Sequence, residues 1–187
     1  VGSEYPANYP IQDTHFLRRI GMRNGYIAGV FDGHGGAEVA KYLAKIMYPA
    51  FHYQFRDHYQ IGDPYSMKGV LEDTFDFVEN KLLERTKEVY KAGVDNIANS
   101  GACGLVAAII DNYVTVANNG DSFAAVFSTR EGLLRHRLLT TPFNANNQDE
   151  KNRLREEFPD ERDIFICHSI QRCFVKSRLA VTRSFGD

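Results

Sequence analysis

The chain has 187 residues and a formal charge of −2, with 43% hydrophobic and 25% charged residues, the proportions of a globular domain with room for one core. Basic residues are scattered rather than gathered in a run, so nucleic acid and anionic membrane surfaces are not expected partners. No apolar stretch approaches the roughly 18 residues of a membrane-spanning helix, since Gly104 to Ile110 is cut off by Asp111 and Asn112.

Residues 15–32 read as two strands joined by Arg23-Asn24-Gly25, where Asn-Gly is a strong hairpin signal. Helical spacing follows over 36–56, with Val39, Leu43 and Ile46 on one face, and over 64–91, with Val70, Leu71, Phe75, Val78, Leu82 and Leu83. Gly62-Asp63-Pro64 breaks the connection between them, and residues 92–101 form a small polar link. Short β-rich runs at 102–110, 112–118, 123–128 and 133–139 then predict one antiparallel meander. Residues 146–158 predict a surface helix with a solvated charged face, stopped by Pro159, and 179–187 predict a last strand. Strands, paired helices, strands, one helix and a strand exclude a regular βαβ repeat and give a single α+β layered domain.

The cysteines, Cys103, Cys167 and Cys173, are odd in number and lack CxxC spacing, which argues against a disulfide framework and for a reducing compartment. Cys103 reads as a small core residue. The chain begins at Val1 without an initiator Met and stops at Asp187 directly after a strand-like run, so an incomplete portion of a longer chain is expected.

Chemistry concentrates in Val30-Phe31-Asp32-Gly33-His34-Gly35-Gly36, which places a carboxylate, an imidazole and flexible backbone between a strand and a helix. Asp121 and Asp187 also end apolar strand-like runs, and Asp13 follows a short segment with Pro10 and Ile11. Hard oxygen ligands converging from strand ends suit Mg²⁺ or Mn²⁺, whereas zinc would want closely spaced Cys and His. Taken singly, each acid also reads as a turn residue.

Together these blocks resemble the metal-dependent Ser/Thr protein phosphatases of type 2C. Asp32-Gly33-His34-Gly35-Gly36 looks like the family's Asp-Gly-His-Gly-Gly, Ser100-Gly101-Ala102 like its Ser-Gly-Ala-Thr, residues 117–122 like Ala-Asn-x-Gly-Asp-Ser, and residues 179–187 like Leu-Ala-Val-Ser-Arg-Ala-Phe-Gly-Asp. Residues 8–13 and 143–147 are most similar to the pyruvate dehydrogenase phosphatase branch. The resemblance implies a four-layer sandwich, two antiparallel sheets between helix pairs, with a binuclear Mn²⁺/Mg²⁺ centre. It implies that Asp32 bridges both ions, that the Gly33 carbonyl holds one, and that Asp13 and Asp187 serve one each, partly through water. Asp121 would lie near a weaker third ion, and His34 would be the general acid. A phosphorylated protein substrate is implied. A monomer is expected, in the cytoplasm or alternatively the mitochondrial matrix.

The chain also departs from the family. Gln12-Asp13 replaces Glu-Asp, Asn8 stands where many members carry a phosphate-gripping Arg, Phe123 replaces an Arg, and Pro142-Phe143 replaces Asp-His. A further metal-binding Asp of the family falls beyond Asp187. The flap beside the site is expected over 159–172, and Arg172 and Arg183 read either as phosphate or flap contacts or as salt-bridge residues. These losses leave a second reading, a pseudophosphatase that keeps the fold as a binding or regulatory module.

Overall fold

In a computed structural model, the described residues are 9–21, 24–61, 63–93, 99–110, 112–169 and 172–187. Strand β1 (Thr14–Ile20) pairs antiparallel with β2 (Gly25–His34) in the register Thr14↔Phe31 to Ile20↔Gly25. The hairpin expected from Asn24-Gly25 is therefore present, although Arg23 lies outside the described residues. On the other side of β2 comes β3 (Gly101–Ile110), and beyond it β4 (Tyr113–Asn119), giving the order β1-β2-β3-β4.

The alternation along β2 is that of a sheet with one covered face. Ile27 and Phe31 are buried, while Tyr26 and Val30 remain 49% and 48% exposed. Helices α1 (Glu38–His58) and α2 (Pro64–Lys91) cover the buried face. Val39, Leu43, Met47 and Phe51 from α1 and Met67, Val70, Leu71, Val78 and Leu82 from α2 pack on Phe16, Ile27, Phe31, Val106 and Ala108 from the strands. Both helices match the expected spacing. Asp63 starts α2 by accepting a 2.9 Å bond from the Tyr65 N–H, with Pro64 at the first position.

The expected single meander is divided between two sheets. After β4 the backbone turns at Gly120, with φ +146, and the Asn118 amide ties down the corner by donating to Gly120 O, Ser122 O and Thr141 O at 3.0, 2.9 and 3.2 Å. Strands β5 (Ala125–Arg130) and β6 (Leu133–Leu138) consequently form a separate two-stranded hairpin. Its turn places Glu131 and Gly132 at φ +54 and +75, the backbone that favours a tight hairpin connection.

Helix α3 (Gln148–Glu157) starts at Asn147, whose side chain accepts from the Asp149 N–H at 2.9 Å. Strands β7 (Phe165–Ser169) and β8 (Arg172–Val175) follow as a second small hairpin that starts inside the expected flap region and runs past its end at Arg172. Cys167 and Cys173 face each other in its register and form a disulfide. This overturns the expectation of free thiols. A six-residue separation has no signature in a count of cysteines, but folded into a hairpin it brings the two Cα atoms within 4.0 Å. The inference of a reducing compartment loses that support.

The strand expected over 179–187 is also absent. The segment bonds to different partners in succession, Ala180 O from Ala145 N, Thr182 N to Phe143 O and Phe185 N to Ala102 O, leaving isolated bridges instead of a ladder. The architecture is mixed α+β with antiparallel sheets and a helix pair against the largest of them.

Candidate active site

Antiparallel pairing brings strand ends from distant parts of the chain to one edge of the sheet. Asp13 immediately precedes β1, Asp32 and His34 lie near the end of β2, and β3 begins at Gly101, opposite His34. Cys103 pairs with Asp32, and β4 ends close to Asp121. The four-stranded register thus accounts for residues 13, 32, 34, 101 and 121 meeting.

The Asp32 carboxyl is raised above its ordinary range by burial first, then by the charge of Asp13 and a hydrogen bond with it, and further by Asp121; only His34 opposes. An acid pair that repels itself in this way is chemically suited to a hard divalent cation, which would relieve the repulsion and accept carboxylate oxygens. Gly33 lies between Asp32 and His34 on the backbone. A Cβ there would come 3.0 Å from Gly36 O and would also overlap Gln12 O, so only glycine lets β2 and the strand-to-helix turn approach so closely.

His34 and Asp187 form a second pair, with Nε2 2.7 Å from Asp187 Oδ2. That bond raises the imidazole, burial opposes it, and the charges of Asp187, Asp32 and Asp121 add to the rise. For Asp187, burial would raise the carboxyl, but bonds from His34 and Ser184 outweigh it and hold it below the ordinary range.

Asp121 sits beside Cys103, whose Sγ donates to Oδ1 at 3.6 Å. Burial, with the neighbouring acids, pushes the Cys103 thiol up to about 12, so at 2% exposure it is a protonated core residue rather than a nucleophile. This agrees with its reading from sequence.

Among the described residues, no group of three or more His, Cys, Asp or Glu side chains is close enough to hold an ion. The acids gather instead as the Asp13–Asp32 and His34–Asp187 pairs with Asp121 nearby, so the donor chemistry fits Mg²⁺ or Mn²⁺ while a compact shell is not formed. Asn8 lies outside the described residues. Arg183 is committed to Glu150, with Nη2 to Oε1 at 2.6 Å and Nε to Oε2 at 3.0 Å, and stacks over Phe143 at 4.0 Å. Arg172 lies over Phe174. The salt-bridge reading of Arg183 therefore holds.

Sequence reasoning missed Glu79, Gly101 and Ser184 as parts of this site. Ser184 lies three residues before Asp187, a spacing that permits local bonding, whereas Glu79 reaches Gly186 across 107 residues and left no local signal.

A helix-backed antiparallel sheet with acids and an imidazole gathered at its strand ends defines a mixed α+β domain with an acidic site at one sheet edge. The chain belongs to the protein phosphatase 2C family, whose profile matches residues 10–187. It is 32% identical over 165 residues to probable protein phosphatase 2C 42 of Arabidopsis thaliana, covering 87% of this chain and 41% of that protein. It is 27% identical to the mitochondrial [pyruvate dehydrogenase [acetyl-transferring]]-phosphatase 1 of Saccharomyces cerevisiae, covering 99% of this chain and 36% of that one. The chain thus spans about two fifths of the length of such relatives. Its fold superposes on the serine-threonine phosphatase 2C of Toxoplasma gondii with a TM-score of 0.74 at 17% identity, over 98% of this chain and 69% of the other.

Proposed function

We propose that the protein hydrolyses phosphoserine and phosphothreonine esters on phosphorylated proteins with the help of Mn²⁺ or Mg²⁺. The observation that carries this reading is the Asp13–Asp32 acid pair beside His34, in a chain of the protein phosphatase 2C family. Asp13, Asp32, Asp187 and the Gly33 carbonyl would hold two ions, with Asp121 near a weaker third, as the family resemblance implies for all five. When bound, the ions would neutralise phosphate charge and lower the pKa of an attacking water. The protein's own part is to position. Asp32 and Asp13 fix the acidic edge, and His34 holds a proton that it passes to the departing serine or threonine oxygen.

The protein is taken to act as a monomer in the cytoplasm; the mitochondrial yeast relative supports the matrix as the alternative. Among the described residues no helix is long and apolar enough to cross a membrane. Asp32→Ala should abolish Mn²⁺ binding and phosphopeptide turnover together, and His34→Ala should slow turnover roughly 10²-fold or more while sparing ion binding. Unchanged turnover in Asp32→Ala would overturn the site. A pseudophosphatase is the second reading, favoured by Gln12 in place of a carboxylate and by the open spacing of the acids; turnover by the full-length protein excludes it.

A further inference from the structure

The two cysteines that close the β7–β8 hairpin stand directly across the ladder from each other but in different surroundings. Cys167 is exposed on β7, whereas Cys173 on β8 is only 3% exposed. A thiol arriving from solvent therefore reaches the sulfur of Cys167 first. Cys173 is also held in place by bonds other than the disulfide. Its N–H donates to Asn146 Oδ1 at 3.1 Å, and just beyond it Val175 N–H reaches Leu179 O at 2.7 Å and Lys176 N–H reaches Ile164 O at 2.9 Å.

Lys151 supplies the chemical asymmetry. Its backbone is fixed in α3 by a 3.0 Å bond from its N–H to Asn147 O, and its ammonium lies 3.2 Å from Cys173 Sγ and 3.9 Å from Cys167 Sγ. An ammonium gains little from a neutral disulfide sulfur and much from a thiolate. Disulfide exchange is faster when the attacked sulfur is accessible and the departing thiolate is stabilised. Here the accessible sulfur and the stabilised one are different atoms of the same bond, and the cation sits beside the inner one.

We propose that Cys167–Cys173 is a redox modification site that exchanges with small thiols and dithiols, with Cys167 the attacked sulfur, Cys173 the leaving one and Lys151 the cation that receives the departing thiolate. An incoming thiolate forms a bond to Cys167 Sγ, the bond between the two cysteines breaks, and its electron pair goes to Cys173. A second thiolate, or the second sulfur of a dithiol, then attacks the small-molecule sulfur of the mixed disulfide and releases Cys167. Two electrons pass from the thiols, now joined as a disulfide, to the two cysteines, which take up the two protons the thiols lost. The site goes beyond the phosphatase reading and does not depend on it.

Mass spectrometry of the folded, full-length protein tests this without a phosphatase assay. Treated with reduced glutathione and quenched with iodoacetamide, the wild type should carry glutathione on Cys167 and the alkyl group on Cys173. Reduction by dithiothreitol, followed as alkylated cysteines over time, should slow about threefold to tenfold in Lys151→Met, which keeps the apolar stem and removes the charge. Lys151→Gln should slow it equally, and Lys151→Arg should keep a rate near that of the wild type. Glutathione found on Cys173, a reduction rate indifferent to the charge at position 151, or a disulfide that both reagents leave intact until the protein is denatured would each make the bond a structural brace only and overturn the proposal. None of these results bears on phosphate release, so the phosphatase reading stands or falls separately.

Discussion

Glu150 shows how a single residue can carry more structure than its sequence neighbourhood suggests. It lies in a charged helix that reads as a solvated face, yet it is only 3% exposed, and it accepts from Arg183, Arg153 and Thr182 at 2.6 to 3.3 Å. Burial would raise this carboxyl, but those donors outweigh it and hold it down at about 2. Because the folded value lies below the unfolded value of about 4.3, the contribution is full above that value and is lost as pH falls towards 2. Glu150→Ala should cost on the order of 2–3 kcal/mol at pH 7, less than a fully buried pair because Arg183 and Arg153 are partly solvated. Denaturant unfolding of wild type and variant at pH 7 and pH 3 checks this: the difference should shrink at pH 3, and an undiminished difference would show that packing, not charge, sets the effect.

Asp32 and His34, by contrast, were legible from sequence, because the motif that names them is local and the strand before it is plainly apolar. Arg183 and Thr182 lie 33 and 32 residues from Glu150, a separation that no periodicity reveals. The same limit applies to Glu79 and Gly101, whose roles exist only after α2 and β3 have folded against residues 185–187.

Among the elements, helices α1 and α2 and strands β1 and β2 were readable because each buries one face at a regular period, and β3 and β4 because they are short β-rich runs set off by turn residues. After β4 the runs that form β5, β6 and α3 were still legible, but the pairing was not, since partners there are set by corners and isolated bridges. Asn118 closes one corner with three bonds through a side chain whose sequence context reads as an ordinary turn. The β7–β8 hairpin is closed by Cys167–Cys173 and is tied to α3 by the Lys151 ammonium 3.2 Å from Cys173 Sγ and by Cys173 N–H to Asn146 Oδ1 at 3.1 Å. Changing both cysteines to serine should lower local stability by about 2 kcal/mol, the loop-closure value for so short a loop. Amide exchange should then quicken in residues 165–175 while the α1–α2 core keeps its protection; equal exchange in both proteins would show that the disulfide does not constrain the hairpin.

For the whole molecule, the antiparallel order β1-β2-β3-β4 is the decisive feature. It places the start of β1, the end of β2, the start of β3 and the end of β4 at one edge, so that acids far apart in sequence face a common site. The helix pair on the other face supplies the rigidity that such a site needs, through the core formed by Leu43, Met47, Phe51, Val70 and Leu82. Positioning therefore belongs to the fold, and in the proposed reaction the cations would supply charge.

The central claim is that this edge makes the protein a cation-dependent phosphoester hydrolase. The direct measurement is phosphate release from a phosphothreonine peptide by the full-length protein with Mn²⁺ and again with excess chelator. Release that requires Mn²⁺ and is lost in Asp32→Ala is the expected result; a folded protein that releases no phosphate with Mn²⁺, or releases it equally in chelator, would contradict the account.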